Sequence, residues 1–332
     1  MGSQTDHNSR PGEFEIIARY FAPLAGSAGA FGLRDDAALL DVTPGARLVV
    51  TQDAVAAGIH FFADDPPELV AKKALRVNLS DLSAKGARPT GFSLALGLWD
   101  GWDENWLARF ASGLGEDCRE FEITLTGGDT YRSPGALVIS ITAFGEITDG
   151  NYTSRLGASV GDVLFVTGTI GDAALGLKVR LGELTAGEPA TDHLRNAYWL
   201  PNPPVSFAPL IARHASASMD ISDGFVGDLR KLAVASGVGF EVAAGDVPLS
   251  PAVEALCSQD RRLLVSALTG GDDYQFLVTV PQSRVALFLE EAQKSAVQVS
   301  RLATASANAG KLSIVGADGA PMQFPGESWN HY

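Results

Sequence analysis

The stretch DPPELVAKKALRVNLSDLSAKGARPTGFSLALGL, residues 65–98, predicts a helix followed by a strand. Asp65 is a typical helix cap, and the prolines and the acid that follow it are typical of a first helical turn. The helix is expected to run to about Lys85, and the strand covers residues 91–98. Asp81 lies late in this helix, where a carboxylate meets the unfavourable end of the helix dipole. An aspartate at that position is costly, so we expect a positive group to compensate for it.

Helices and strands alternate on both sides of this stretch. The sequence around it predicts, in chain order, a helix at 12–21, strand 47–51, helix 103–121, and strands 122–126 and 136–144. Together with residues 65–98 they give the order αβαβαββ, which is typical of an α/β domain.

Glycine turns at residues 157–161 mark a boundary, after which a second unit begins. Its predicted elements are strand 163–167, a helix near 172–181, helix 222–235 and strand 275–280. We therefore expect a disordered tail at 1–11, an N-terminal domain at 12–155 and a C-terminal domain at 156–332.

Composition narrows the functional class. A chain of 332 residues that is 46% hydrophobic can fold into two domains with cores of their own. Its net charge of -14 argues against nucleic-acid and anionic membrane surfaces, which require clustered Lys and Arg. Apolar runs fall far short of the roughly 20 residues that span a bilayer. Cys118 and Cys257 are far apart, and the N-terminus lacks a secretion signal, so we expect a reduced, cytoplasmic protein.

Seven aspartates stand among small residues such as Gly, Ser and Thr. They are Asp36, Asp53, Asp81, Asp129, Asp220, Asp223 and Asp272. Mg²⁺ prefers oxygen ligands, and glycine lets backbone N–H groups approach a phosphate closely. An isolated aspartate in such a setting is most often a turn or cap residue, as we expect for Asp65, Asp100, Asp149 and Asp318. Several together favour metal binding and predict a Mg-ATP phosphotransferase.

The usual signatures of other enzyme classes are absent. Leu177 stands where a P-loop would require its phosphate-binding lysine. Residues 157–161 read Gly-Ala-Ser-Val-Gly, but they precede a predicted strand, whereas a nucleophile elbow follows one. The sequence contains no pair of histidines at metal-ligand spacing. Hydrolysis by a serine triad or by zinc is therefore not expected.

Six motifs occur in an order that resembles the thiamine-monophosphate kinase family, part of the aminoimidazole-ribonucleotide-synthetase-like, or PurM-like, superfamily. The resemblance extends from Gly12 to the C-terminus. The motifs are Asp35-Asp36-Ala37-Ala38, Asp53 with Gly58-Ile59-His60-Phe61, Val77-Asn78-Leu79-Ser80-Asp81-Leu82, Gly127-Gly128-Asp129-Thr130, Asp220-Ile221-Ser222-Asp223-Gly224 and Gly271-Asp272-Asp273-Tyr274.

The resemblance implies a two-domain PurM-like fold of the α/β (α+β) class. The N-terminal α/β domain would bind ATP and Mg²⁺ and form a dimeric β-barrel with the same domain of a second copy. The C-terminal α/β domain would complete the active site, with nucleotide and metals between the two domains.

The resemblance also assigns roles to residues at the matching positions. The implied metal ligands are Asp36, Thr51, Asp53, Asp81, Asp129, Asp220 and Asp223. The implied ATP contacts are Gly128, Asp129, Arg155 and Ser222, and the implied substrate contacts are His60, Asp272 and Trp329. No catalytic side chain is implied beyond these.

The implied reaction is in-line transfer of the γ-phosphoryl group of ATP to thiamine monophosphate, which gives thiamine diphosphate and is the last step of its biosynthesis. Several Mg²⁺ ions would assist, with ATP as co-substrate. The chain departs from the commonest pattern at Arg34, Gln52, Pro204, Asp272 and Gln275. Gln52 is expected to loosen one metal site, and Asp272 has a shorter reach than the usual glutamate.

Two alternatives stay open at this point. One is another PurM-like ATP-dependent enzyme, such as selenophosphate synthetase or the hydrogenase-maturation protein, although their reactive terminal cysteines lack counterparts here. The other is a catalytically weak Mg-nucleotide-binding protein. A turnover assay separates the second alternative from the kinase, because both would bind Mg-ATP.

Overall fold

The structure is a computed structural model that describes residues 10–324 and 326, so most of the predicted tail lies outside the described part. The chain forms two compact units. The first comprises residues up to Pro44, Val50–Asn78 and Pro89–Gly145. The second comprises Gly45–Val49, Leu79–Arg88 and the residues from Glu146 onward. The domain limits 12–155 and 156–332 stay predictions.

A four-stranded sheet lies at the centre of the first unit. Its strands are β1 (Arg47–Ala56), β2 (Arg88–Leu98), β3 (Thr124–Arg132) and β4 (Val138–Ile147), in the spatial order β1-β4-β2-β3. Strand β2 pairs with β3 in parallel, with a shift of register between Phe92 and Ser93. Strands β1 and β3 are therefore the two edges of the sheet.

Three helical segments accompany this sheet. They are α1 (Glu13–Ile16), which continues as a π-helix to Phe21, α2 (Pro67–Ala84) and α3 (Glu104–Glu120). Buried Arg76 on α2 donates to both carboxylate oxygens of Asp117 on α3, each at 2.8 Å. The helices come close at Gly113, where a Cβ would lie 2.3 Å from the carbonyl oxygen of Glu68. Glycine is required there by the close approach of the two backbones.

The second unit contains an antiparallel sheet of β5 (Val163–Thr167), β6 (Ala217–Asp220), β8 (Phe276–Val280) and β9 (Val299–Thr304). Its order is β6-β8-β5-β9. A separate parallel pair joins β7 (Phe240–Ala243) to β10 (Leu312–Val315). The helices are α4 (Asp172–Arg180), α5 (Ala190–Trp199), α6 (Ala208–His214), α7 (Phe225–Ser236), α8 (Pro251–Gln259), α9 (Arg262–Thr269) and α10 (Val285–Lys294).

Strand β5 is buried on both faces. Leu164 and Val166 belong to one hydrophobic cluster, and Val163 and Phe165 belong to another. Because successive side chains of a strand point to opposite faces, the two clusters lie on opposite sides of this sheet. Continuous burial explains why residues 163–166 form an uninterrupted apolar run rather than an alternating one.

Most predicted elements are confirmed, but several boundaries are wrong. Strand β1 is predicted to end at Thr51 but continues to Ala56. Strand β3 was predicted to end at Thr126 but continues to Arg132, so Gly128 and Asp129 lie inside a strand. The helix predicted from Ser222 begins at Phe225. Its N-cap residue, Gly224, has φ +117°, which is incompatible with a helix. Within the described residues, no helix is long and apolar enough to cross a membrane.

Candidate active site

Asp220 is a buried carboxylate at the end of strand β6, and its residue is only 8% exposed. Ser80 donates from its Oγ to Oδ2 of Asp220 over 2.8 Å. All four residues of β6 are buried, so the strand carries the carboxylate into the interior of the second unit. A buried carboxylate with one side-chain donor needs further positive partners.

Asp81 and Lys85 supply the charges around Asp220. Burial, followed by the charge of Asp81, raises the pKa of Asp220 to about 7. Lys85 donates from Nζ to the carbonyl oxygen of Ser218 at 2.8 Å, and its charge opposes this rise. Burial lowers the pKa of Lys85, whereas Asp220 and Asp81 raise it. The positive group expected near Asp81 is thus Lys85, four residues further along the chain.

The pair formed by Asp81 and Asp220 fits a hard divalent cation. The charge of Asp81 raises the pKa of Asp220, which indicates a local surplus of negative charge that a cation would relieve. Across residues 10–324 and 326, no three His, Cys, Asp or Glu side chains are close enough together to hold a metal ion. Mg²⁺ commonly takes only one or two protein carboxylates and completes its shell with water and substrate phosphates. The donor set therefore suits Mg²⁺ that is shared with a nucleotide.

Asp223 is held by a lysine. Nζ of Lys231 lies 2.6 Å from Oδ2 of Asp223 and 2.8 Å from Oδ1 of buried Asp228. The N–H of Asp223 donates to Oδ2 of Asp228 at 2.9 Å. Asp223 thus shares a positively charged partner, the ammonium group of Lys231, with Asp228.

Asp272 lies in a strained segment beside the Ser222 loop. Asp272 and Tyr274 have φ values of +72° and +50°, which are uncommon for residues with side chains. The N–H of Asp272 donates to the carbonyl of Ser222 at 2.9 Å, and the Tyr274 hydroxyl donates to Oδ1 of Asp272 at 3.3 Å. Such outliers often occur at ligand sites, where the surrounding structure holds them in place. This arrangement fits the substrate role predicted for Asp272.

Asp273 has a different function from its neighbour. It is buried, and the N–H of Gly171 lies 3.0 Å from each of its carboxylate oxygens. Burial raises the pKa of Asp273 well above the usual value. Because Gly171 is the N-cap of α4, Asp273 fixes the start of that helix and is structural.

Gln275, a departure from the family pattern, has a local explanation. Its Oε1 accepts from the Thr167 hydroxyl at 2.9 Å, and its Nε2 donates to the carbonyl of Asn202 at 3.3 Å. An amide can donate and accept at once, which a carboxylate cannot.

Arg155, predicted to contact ATP, is exposed in the second unit. Its charge contributes to the lowered pKa of Lys85, so it lies within electrostatic reach of the Asp220 cluster.

In the first unit, Thr51 and Asp53 lie on one face of β1, since they are two residues apart in a strand. The N–H of Asp53 donates to Oδ1 of Asn78 at 3.0 Å. Gln52 points to the other face, where its Nε2 donates to the Ser140 hydroxyl at 3.1 Å. Gln52 therefore does not stand beside the Asp53 carboxylate, and its expected weakening of a metal site lacks support from this geometry.

Gly128 and exposed Asp129 occupy the edge strand β3. Gly128 has φ +153°, and a Cβ there would lie 1.9 Å from the carbonyl oxygen of Leu94 on β2. Only glycine lets the two strands stay paired at this point.

Asp36 and His60 lie in loops of the same unit. Asp36 is exposed, and its N–H donates to Oδ1 of Asp35 at 2.8 Å. His60 is half-buried, and its Nδ1 accepts from the N–H of Ala56 at 3.1 Å. In the neutral ring the proton is therefore on Nε2. Trp329 lies outside the described residues.

Sequence reasoning missed Ser80 as a partner of Asp220 and missed both lysines. Ser80 and Asp220 are 140 residues apart, so no local pattern could reveal their contact. A lysine four residues after Asp81 was a usable signal, because such positions share a helix face. The three-residue spacing of Asp228 and Lys231 was a comparable signal.

Known families match most of the chain. Residues 34–147 match the family "AIR synthase related protein, N-terminal domain", and residues 159–314 match "AIR synthase related protein, C-terminal domain". Thiamine-monophosphate kinase of Caulobacter vibrioides is 41% identical over 296 residues, which cover 88% of this chain and 83% of that protein. The chain belongs to the thiamine-monophosphate kinase family.

Solved structures of thiamine-monophosphate kinases have the same architecture. The enzyme from Stenotrophomonas maltophilia superposes with a TM-score of 0.78 at 34% identity, covering 87% of this chain and 91% of that one. The structure described as AaThiL complexed with AMPPCP and TMP gives a TM-score of 0.76 at 30% identity, covering 92% and 97%. The predicted two-domain PurM-like fold is thereby confirmed.

Proposed function

We propose that the chain transfers the γ-phosphoryl group of ATP to thiamine monophosphate and forms thiamine diphosphate. The observation that carries this proposal is its identity to a thiamine-monophosphate kinase over most of both chains. A structural neighbour binds AMPPCP and TMP, an ATP analogue and the acceptor respectively, according to its description. The close relationship favours this activity over the other superfamily enzymes and over a non-catalytic nucleotide-binding protein.

We further propose that Asp36, Thr51, Asp53, Asp81, Asp129, Asp220 and Asp223 hold the metal ions. When bound, Mg²⁺ would neutralise charge on the transferring phosphoryl group. The pair of Asp81 and Asp220 supports this set most directly, because two adjacent acids with one of them buried favour a divalent partner. The charge of Lys85 offsets only part of the repulsion between the two acids.

ATP phosphates have three proposed contacts in addition to Asp129. Gly128 is one of them, because glycine lets backbone N–H groups approach a phosphate closely. Arg155 provides an exposed guanidinium, which binds phosphate oxygens through paired N–H donors. Ser222 lies next to Asp223 and holds Asp272 through its carbonyl oxygen.

The acceptor site is proposed to consist of His60, Asp272 and Trp329. Because a phosphate acceptor is already anionic at neutral pH, the reaction needs no strong general base. Its main requirement is to hold two anionic groups in line, and positioning supplies most of the rate enhancement in phosphoryl transfer. The fixed backbone of Asp272 is suited to such positioning.

We also propose a cytoplasmic homodimer whose N-terminal sheets join into a barrel. Strand β1 is a sheet edge, and its Leu48 and Val50 are 44% and 54% exposed. Exposed apolar side chains on an edge strand are typical of a surface that pairs with another chain. Cys118 and Cys257 are both free, which agrees with a reducing compartment.

The test is ADP formation with an acceptor panel. We expect turnover that requires both Mg²⁺ and thiamine monophosphate, with thiamine and aminoimidazole-type acceptors compared in parallel. Asp220→Asn should abolish it, and Asp41→Asn, at an exposed position, serves as the matched control. Well-folded protein that forms no ADP with thiamine monophosphate would reject the proposal.

A further inference from the structure

A cavity of about 330 Å³ opens at the ends of strands β2 and β3 in the first unit. Its floor is apolar and buried, formed by Ile16, Leu98 and Trp102. Trp99 and Tyr131 form its aromatic walls. Among the residues that the structure describes, none of those proposed above for metal, ATP or acceptor binding lines it. Its volume lies within the range of small-molecule sites, which are mostly apolar with a few placed polar groups.

The aromatic walls are held in place by two glycines. A Cβ at Gly97 would lie 2.7 Å from Cζ of Tyr131, and one at Gly101 would lie 2.5 Å from Nε1 of Trp99. Both rings therefore rest against bare backbone, where any larger residue would displace them. Trp99 also packs edge-on against Trp106 at 5.0 Å between ring centroids. These contacts restrict the rings before any ligand arrives, which lowers the entropy cost of binding.

Two arginines stand at the rim. Arg132 forms a bidentate ion pair with Asp100, with Nε and Nη2 at 2.7 and 2.9 Å from its carboxylate oxygens. The guanidinium of Arg10 lies 5.1 Å from the ring centroid of Trp102 and donates to the carbonyl oxygen of Asp100 at 2.6 Å. Within residues 10–324 and 326, no carboxylate forms an ion pair with Arg10. The guanidinium of Arg10 is therefore held by a carbonyl oxygen and an aromatic ring rather than by an ion pair.

We propose that this cavity is a second binding site, which takes a flat heteroaromatic ring that carries a phosphate. The ring would stack on Trp99 and Tyr131, and the phosphate would accept hydrogen bonds from Arg10. Thr130 adds a hydroxyl, and exposed Glu13 adds a rim carboxylate that would favour a cationic ring over a neutral one. Thiamine phosphates and adenine nucleotides share the required chemistry, and this choice of probes rests on the proposed function.

The experiment is calorimetric titration of the full chain in EDTA with thiamine diphosphate or with ADP. EDTA removes the metal ions and with them any binding that depends on metal. Stacking on aromatic rings and hydrogen bonds from a guanidinium group do not require a metal, so binding in the cavity should persist. We expect saturable binding of at least one probe. Trp99→Ala should weaken it by about tenfold, the loss typical of removing one stacking ring. Tighter binding of thiamine diphosphate would show that the site prefers a cationic ring. Tighter binding of ADP would show that it prefers a nucleotide.

A second cavity variant and a control variant accompany the titration. Arg10→Gln changes an exposed side chain, so it tests the site even if Trp99→Ala does not fold, and Arg301→Gln is the control at another exposed arginine. The proposal is overturned if neither probe binds in EDTA, or if binding is equal in all variants.

Turnover distinguishes this proposal from the previous one. Both cavity variants should keep the KM for thiamine monophosphate and for ATP. A raised KM would place the cavity in the acceptor or nucleotide site and overturn a second site. Chain that binds a probe in EDTA but forms no ADP would reject the kinase proposal alone.

Discussion

Ser80 Oγ lies 2.8 Å from Asp220 Oδ2, so the last turns of helix α2 are linked directly to the end of strand β6. The hydroxyl supplies a buried carboxylate with its side-chain hydrogen-bond donor. It also opposes the rise in pKa that burial imposes on Asp220.

Removing that donor should destabilise the protein. We expect Ser80→Ala to lower the free energy of unfolding by about 1–3 kcal/mol, the usual cost of an unsatisfied buried polar group. Urea denaturation in EDTA measures this. The control is Ser83→Ala on the same helix, since the buried Ser83 hydroxyl has no hydrogen-bond partner within the described residues. Equal losses in the two variants would show that helix packing, rather than the bond to Asp220, is responsible.

Asp81→Asn should abolish turnover and leave the apo protein as stable as before or more stable. The charge of Asp81 disfavours ionised Asp220, and the substitution removes that repulsion. Melting in EDTA and ADP formation with Mg²⁺ measure the two effects separately. Asp149→Asn, in an exposed turn, is the control. A marked fall in the apo melting temperature would instead assign Asp81 a structural role.

His60→Ala should raise the KM for thiamine monophosphate more than the KM for ATP. The imidazole is oriented by the Ala56 N–H, which leaves Nε2 to donate to the acceptor. Steady-state kinetics with each substrate varied in turn give both constants. His193→Ala, at an exposed histidine of α5, should change neither. A larger effect on ATP would contradict the assignment.

Asp273 should make stability depend on pH. Its pKa in the folded state is raised above the unfolded value, so its contribution is fully present below the unfolded pKa and is lost as pH rises through the folded pKa. Wild type should therefore lose stability relative to Asp273→Asn between pH 4 and the folded pKa. Urea unfolding across this range measures the difference, with Asp41→Asn as the exposed control. A constant difference at all pH values would disprove the effect.

The sequence predicts those elements whose limits are determined by residues close together in the chain. The cap and prolines at 65–68 predicted the start of α2, and the apolar run at 163–166 lies within β5. The pattern failed after Thr126, where it predicts that the strand ends, just before Gly127 and Gly128. Gly128 instead continues the strand at φ +153°, because bare backbone lets β3 stay paired with β2.

The candidate site was predictable only in part. Each acid could be recognised from its small neighbours and its place in an ordered series. The hydrogen-bond partner of an acid could not be recognised in this way. The contact of Ser80 with Asp220, for example, joins residues that are far apart in the chain. For the same reason, the hydrogen bond from the Gly171 N–H to the Asp273 carboxylate could not be predicted.

The ion pair of Lys231 with Asp223 bears on the order in which the proposed metal ions would bind. A cation that binds Asp223 competes with an ammonium group already 2.6 Å away, whereas the negative surplus at Asp81 and Asp220 attracts a cation. Filling should therefore begin at Asp220 and reach Asp223 last. If the proposed metal ions bind at both places, Lys231 should compete for Asp223 and make the ion there the more weakly held.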